Sequence, residues 1–234
     1  MNNLKSKDFV ESVLRLEPRL AVFDCDGTLW SGDAGEGFFS WELDREVVSK
    51  EVAAWARPRY ADYRAGRVDE DAMCGEMVTM HRGLQESAVL QAATEYFDGN
   101  FVKHIFSEMR ELIRQLQEAE CDVWAVSSTN EWVIRVAMKH FGIPDCKVLA
   151  AAVRIDNGII TDEVIRVPSG PGKPLAIREV IQKTPDAAFG NSRWDAEMLE
   201  LARNGFAVNP NPDLEKTARS KGWTVYWPDG TSRK

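Results

Sequence analysis

The run Leu20-Ala21-Val22-Phe23-Asp24-Cys25-Asp26-Gly27-Thr28 opens on four apolar residues and closes on two carboxylates and a glycine. Four apolar residues bounded by a turn signal suit a strand buried on both faces. A strand of that kind belongs inside a parallel sheet, so the polar residues that follow it stand at the sheet's C-terminal edge. Side chains two apart face the same way along a strand, and where the strand ends the backbone turns. Asp24 and Asp26 can therefore approach one site in different roles, as metal ligand and as acid or base.

Downstream, strands and helices alternate. Phe106, Met109, Ile113, Leu116 and Ala119 recur near the helical period, and Cys121 to Val126 then predicts a strand ending in Ser127-Ser128-Thr129-Asn130. Glu131 to Phe141 predicts a helix stopped at Gly142, with Pro144 beyond it. Strands over 148–155 and 159–165 flank the tight-turn signal Asp156-Asn157-Gly158. A helix over 175–182, a strand over 187–189 ending in Gly190-Asn191-Ser192, a helix over 195–204 closed by Gly205, and strands at 206–208 and 224–227 complete the pattern.

Residues 32–105 carry no comparable strand run and show helical patterns over 38–56, 69–80 and 86–97. The fold class is therefore α/β: a Rossmann-like parallel sheet core of residues 1–31 and 106–234, with a helical cap of residues 32–105 inserted after the first strand. Ser127, Asn191 and Asp195 all follow apolar runs, so the parallel sheet should gather them beside Asp24. In the loop Ser169-Gly170-Pro171-Gly172-Lys173-Pro174 the glycines permit close backbone approach and Lys173 offers a positive charge to a phosphoryl group, although the Walker spacing is absent.

Taken in order, Asp24-Cys25-Asp26-Gly27-Thr28, Ser127, Lys173 and Gly190-Asn191-Ser192-Arg193-Trp194-Asp195 resemble the four motifs of the haloacid dehalogenase (HAD) superfamily, over almost the whole chain. The helical insertion resembles the cap of its phosphoserine phosphatase-like branch. The resemblance implies a magnesium-dependent phosphomonoester hydrolase in which Asp24 attacks phosphorus to form an aspartyl phosphate and Asp26 protonates the leaving alcohol, then activates water. It further implies that Ser127 and Lys173 bind the phosphoryl group, and that Mg²⁺ is held by Asp24, the Asp26 carbonyl, Asn191 and Asp195. Members commonly carry an acid where this chain has Asn191; an amide oxygen ligates magnesium without adding charge, which would leave more of the task to Asp195.

Asp26 favours phosphatase over dehalogenase chemistry, since a halide needs no proton. For phosphoserine, Asp33 or Glu36 could bind the amino group, but the helix over 69–80 lacks the arginine that the branch uses for the carboxylate, leaving Arg82 as a substitute. A cationic phosphomonoester is the alternative suggested by Asp33, Glu36 and Glu76 with Trp30, Phe38 and Trp41, against the plainer reading of those aromatics as core. Readings from other classes are a phospholigand-binding or regulatory protein impaired at Asn191, and a phosphotransferase or mutase.

Composition bounds the partners. A formal net charge of -8 with no basic cluster argues against nucleic acid, and the partner expected is a small phosphorylated metabolite. No apolar run approaches the roughly 20 residues of a membrane helix, and the polar N-terminus lacks a signal-like segment, so the expected location is cytoplasmic. Cys25, Cys74, Cys121 and Cys146 form no CxxC pair and read as reduced thiols, while His81, His104 and His140 lack ligand spacing and read as structural.

Overall fold

The structure is a computed structural model that describes residues 5–231. A seven-stranded sheet runs β4-β3-β2-β1-β5-β6-β7, built from β1 (Leu20–Phe23), β2 (Asp122–Asn130), β3 (Val148–Asp156), β4 (Ile159–Arg166), β5 (Ala187–Gly190), β6 (Asn204–Val208) and β7 (Thr224–Tyr226). Every pairing is parallel except that of β3 with β4. From β1 the chain winds one way through β2 and β3, then returns to lay β5, β6 and β7 on the other side. The crevice outside the C-terminal ends of β1, β2 and β5 is therefore the place where such sheets bind ligands.

Both faces of the sheet are covered, and the side-chain alternation of the strands divides the core in two. Ala21, Phe23, Ala187, Phe189 and Phe206 face one layer with helices α1 (Ser6–Leu14), α6 (Ser107–Glu118) and α7 (Glu131–Lys139). Leu20, Val22, Ala188 and Ala207 face the other with α8 (Gly172–Ala176), α9 (Ala196–Leu201) and α10 (Pro212–Lys221). Phe23, Phe189 and Phe206 stack across three strands with centroids 4.1 and 4.7 Å apart.

Between β1 and α6 lie the helices α2 (Ala34–Asp44), α3 (Lys50–Arg64), α4 (Glu70–Thr79) and α5 (Glu86–Tyr96). Phe39, Leu43, Val48, Ala56, Met73 and Met77 form a small core of their own. These helices are also tied to the β3–β4 hairpin through main-chain bonds from Gly83 N to Ile160 O (2.8 Å), Ile160 N to Leu84 O (2.9 Å) and Glu86 N to Gly158 O (2.9 Å).

Several element boundaries differ from the sequence reading. The pattern over 38–56 is two helices, because Glu46 turns left-handed (φ 56°) and the Ser49 side chain caps α3 by accepting from Val52 N. The helix predicted over 175–182 begins at Gly172 and continues as a wider turn over Ile177–Ile181. The helix predicted over 195–204 stops at Leu201, and Gly205 lies in β6 instead of closing it. A Cβ on Gly205 would stand 2.8 Å from the Trp223 ring, so packing explains this glycine. β2 runs on to Asn130 with a register shift after Val126, which brings Ser127 into the strand.

Candidate active site

β1 delivers Asp24 to the sheet edge, where its backbone N–H donates to Phe189 O of β5 (2.9 Å). The loop then folds back tightly, since Thr28 N and Leu29 N both donate to Cys25 O, at 3.1 and 2.8 Å. Gly27 makes this turn at φ 75°, and a Cβ there would fall 1.8 Å from Asn191 Nδ2. Glycine is needed here for its backbone angle and because the Asn191 amide lies directly over it. Asn209, just past β6, donates from Nδ2 to Gly27 O (3.0 Å) and fixes the loop from the other side.

Asp24 is 7% exposed and both its oxygens accept hydrogen bonds, Oδ1 from Lys173 Nζ and Oδ2 from Thr28 Oγ1, each at 2.6 Å. Lys173, 2% exposed at the start of α8, also donates to Val126 O (3.1 Å) and lies 2.6 Å from Asp195 Oδ1. Burial pushes Asp24 up to about 6, with the Asp195 charge adding to the rise and Lys173 and Thr28 opposing it. Burial alone would pull the Lys173 ammonium down, but Asp195 and Asp24 more than offset it, so it stays charged.

Both Asp195 oxygens face groups of the protein. While Oδ1 faces Lys173, Oδ2 accepts from Asn191 N (2.9 Å), Ser192 N (2.9 Å) and Ser192 Oγ (3.2 Å). In this arrangement its two oxygens close the 191–195 turn and hold Lys173. The Asn191 side chain makes no hydrogen bond among the described residues and is left beside Gly27. Hard oxygen donors that fit magnesium are thus available from the Asp24 carboxylate, the Asp26 carbonyl and the Asn191 amide, with one formal negative charge among them.

Asp26 is partly exposed and held by three donors: Trp30 Nε1 (2.8 Å) and Ala34 N (2.5 Å) on Oδ1, and Thr129 Oγ1 (2.8 Å) on Oδ2. Burial, followed by the neighbouring Asp33 carboxylate, pushes Asp26 up to about 8 against the pull of these donors. Ser127, 2% exposed, accepts from Thr129 N on Oγ (3.2 Å), which leaves its own hydroxyl hydrogen to donate.

These groups line a cleft of about 680 Å³. Asp24, Asp26, Ser127, Lys173, Asn191 and Asp195 meet there, and Asp33 and Glu36 join them from α2. Arg82 does not: it is exposed and donates from Nη1 to Asp162 Oδ2 of β4 (2.7 Å), outside the cleft. Trp30 and Phe38 are fully buried, and the half-buried Trp41 packs on Phe38 and Tyr96 with Arg45 over its ring, so none of the three lines the cleft. Glu76 is likewise outside, paired with Arg59 at 2.7 Å.

Sequence reasoning missed Thr129, Arg64, Tyr63 and Glu70, all of which line the cleft. Thr129 was signalled by its place in the polar run after the strand. Arg64 is the last residue of α3 and enters the cleft only because α3 folds back toward α2, where it lies 3.5 Å from Glu36. No local pattern announces that.

The haloacid dehalogenase-like hydrolase family model matches residues 21–200, and the chain belongs to that family. A histidinol-phosphatase of Neisseria meningitidis is 26% identical over 217 residues, covering 88% of this chain and 97% of that protein. Among solved structures, a protein of unknown function from Bordetella pertussis Tohama I superposes with a TM-score of 0.78 at 19% identity, covering 89% of this chain and 97% of that one. A substrate-bound phosphoserine phosphatase superposes at 0.57 with 18% identity, covering 89% and 92%. These structures share the α/β fold expected from the sequence.

Proposed function

We propose that the chain is a magnesium-dependent phosphomonoester hydrolase that acts on a small phosphorylated metabolite through an aspartyl phosphate on Asp24. The observation that carries this reading is the convergence of Asp24, Asp26, Ser127 and Lys173, from segments far apart in sequence, on one cleft. The family match and the histidinol-phosphatase and phosphoserine phosphatase names among the relatives support phosphate ester hydrolysis.

The two carboxylates stand in environments that separate their roles. Asp24, the lower in proton affinity and beside Lys173, is the nucleophile; Asp26, pushed up to about 8, keeps a proton to give to the leaving oxygen. Ser127 donates to a phosphoryl oxygen, and Lys173 stabilises charge on the transferring group while Asp195 keeps the ammonium in place. Asp24, the Asp26 carbonyl and Asn191 hold magnesium, which when bound offsets the repulsion between phosphate and Asp24. Residues 32–105 act as the cap, excluding water from the covalent step and selecting the substrate. On the cap side Asp33, Glu36 and Glu70 outnumber Arg64, an arrangement suited to a phosphomonoester that also carries an ammonium group.

The test is hydrolysis of p-nitrophenyl phosphate by the native chain and by Asp24→Asn, each with magnesium and with a chelator. We expect metal-dependent phosphate release that falls by at least about 10⁴-fold in the variant, as loss of a covalent nucleophile does. Turnover that survives in Asp24→Asn would rule out the covalent route.

A further inference from the structure

Asp26 is gripped unevenly. Its Oδ1 takes donors from Trp30 and Ala34, which lie within eight residues of it in sequence. Its Oδ2 takes one donor, Thr129 Oγ1, from β2, 103 residues away in sequence. β2 also carries Ser127, and the Thr129 main-chain N–H holds the Ser127 oxygen. The Thr129 hydroxyl thus ties the free oxygen of the acid to the strand end that faces the phosphoryl group.

We propose that Thr129 is a positioning residue for the acid–base step: its hydroxyl sets the rotation of the Asp26 carboxylate toward the ester oxygen, and Gly35 leaves the space it needs. The inference rests on the phosphatase reading above. Oδ1 already serves two donors, so the proton to be transferred sits on Oδ2, the oxygen that Thr129 touches. As an Asp24 oxygen bonds to phosphorus, the bond from phosphorus to the ester oxygen breaks, and that oxygen keeps the electron pair and takes the Oδ2 proton. Water then returns a proton to Oδ2 as its oxygen bonds to phosphorus and the bond to Asp24 breaks. Both transfers need the same carboxylate orientation, and a small error in it is costly to rate.

Gly35 supplies an independent observation. It is the second residue of α2 and is buried there. A Cβ at this position would stand 2.6 Å from Thr129 Oγ1 and 3.0 Å from its Cγ2. The missing side chain is what lets the threonine reach Asp26.

The experiment compares kcat/KM on two esters, p-nitrophenyl phosphate, whose phenolate leaves without a proton, and glycerol 2-phosphate, whose alcohol does not. With either ester, kcat/KM reports events only as far as phosphoryl transfer to Asp24. Thr129→Val keeps the side-chain shape and the main-chain bond to Ser127 while removing the hydroxyl. We expect it to lower kcat/KM on glycerol 2-phosphate by about 30-fold, a part of the roughly 10²–10⁴-fold that a general acid supplies, and on the aryl ester by less than about threefold. Thr129→Ser should restore the alkyl ester rate to within about threefold. Gly35→Ala, a change that helices favour, should reproduce the selective loss, and adding Thr129→Val to it should change little. Equal losses on the two esters, or no rescue by serine, would overturn the positioning role while leaving the phosphatase reading intact. A native chain inactive on both esters would overturn that reading and this inference with it.

Discussion

Two clusters of titratable groups are buried among the described residues, and they differ in what stays open. In one, Lys173 lies between Asp24 and Asp195 at the sheet edge; in the other, His81 and Glu42 meet among the inserted helices, with Nε2 and Oε2 2.7 Å apart. Glu42 and His81 are both fully buried, and the His81 ring packs on Trp132 of α7 at 4.9 Å. Their burial exceeds that of Asp24, yet they do not line the active-site cleft, and Glu42 Oε1 finds no hydrogen-bond partner among the described residues. Burial of titratable groups therefore does not mark the site. What marks it is a buried ion cluster with one face on a cleft, where a ligand can exchange partners with it.

Replacing Lys173 with Met should break the first cluster most severely. The change leaves Asp24 and Asp195 as like charges with no cation between them, and removes the charge that faces the phosphoryl group. We expect phosphate release to fall by at least about 10³-fold, and stability in urea at neutral pH to fall by about 3–5 kcal/mol, as when one partner of a buried pair is removed. Activity kept within tenfold would show that Lys173 serves only the fold.

The same kind of damage to the second cluster should separate stability from chemistry. His81→Leu leaves Glu42 buried without its hydrogen-bond partner, at a cost of about 1–3 kcal/mol, while kcat/KM per folded molecule should change by less than threefold. Glu42→Gln keeps a hydrogen-bonding partner for the ring and gives the pH signature. Burial raises the Glu42 carboxyl above its ordinary value, with His81 opposing the rise. A raised carboxyl contributes stability that is complete below the unfolded value and is lost as pH climbs through the folded one. Urea titrations from pH 4 upward should accordingly show Glu42→Gln gaining on the native chain as pH rises. A constant difference, or a loss of kcat with the fold intact, would mean that the two clusters are not so different.

The contrast between the clusters also separates what the sequence made legible from what it did not. β1 and the strands that deliver Ser127 and Asn191 were readable because apolar runs ending in polar residues have one meaning in a parallel sheet. Lys173 could be placed beside Asp24 from the motif order, but its second carboxylate partner could not. The three donors that close on Asp195 Oδ2 could not be read from the motif either. The Glu42–His81 pair spans two helices joined by tertiary packing, with no periodic signal linking them. Arg82 and Arg64 show the same limit in reverse: the arginine nearer the expected helix pairs with Asp162, while the one at the end of α3 enters the cleft. Helix identity follows from local pattern, whereas which helix end meets the site depends on how the helices fold back.

Asn191 tests the charge balance of the first cluster most finely. The Asp24 charge is already shared with Lys173 at 2.6 Å, and the remaining oxygen donors toward magnesium, the Asp26 carbonyl and the Asn191 amide, are neutral. A divalent ion at this point would thus meet one directly ligating charge, itself paired with Lys173, with the other cleft carboxylates acting from further off. Asn191→Asp adds a full charge beside Gly27, next to carboxylates that already crowd the edge. Two opposite results should follow from that one charge. Without metal the variant should melt below the native chain, since like charges are brought together; with magnesium the loss should reverse, and half-saturation should fall by at least about tenfold, or 1.4 kcal/mol, a modest share of the Coulomb energy available at such separations. Titrating manganese into ligand-free protein by calorimetry reads the same quantity apart from turnover. Equal affinity in the two proteins would remove Asn191 from the metal's surroundings and leave its place over Gly27 as a matter of packing alone.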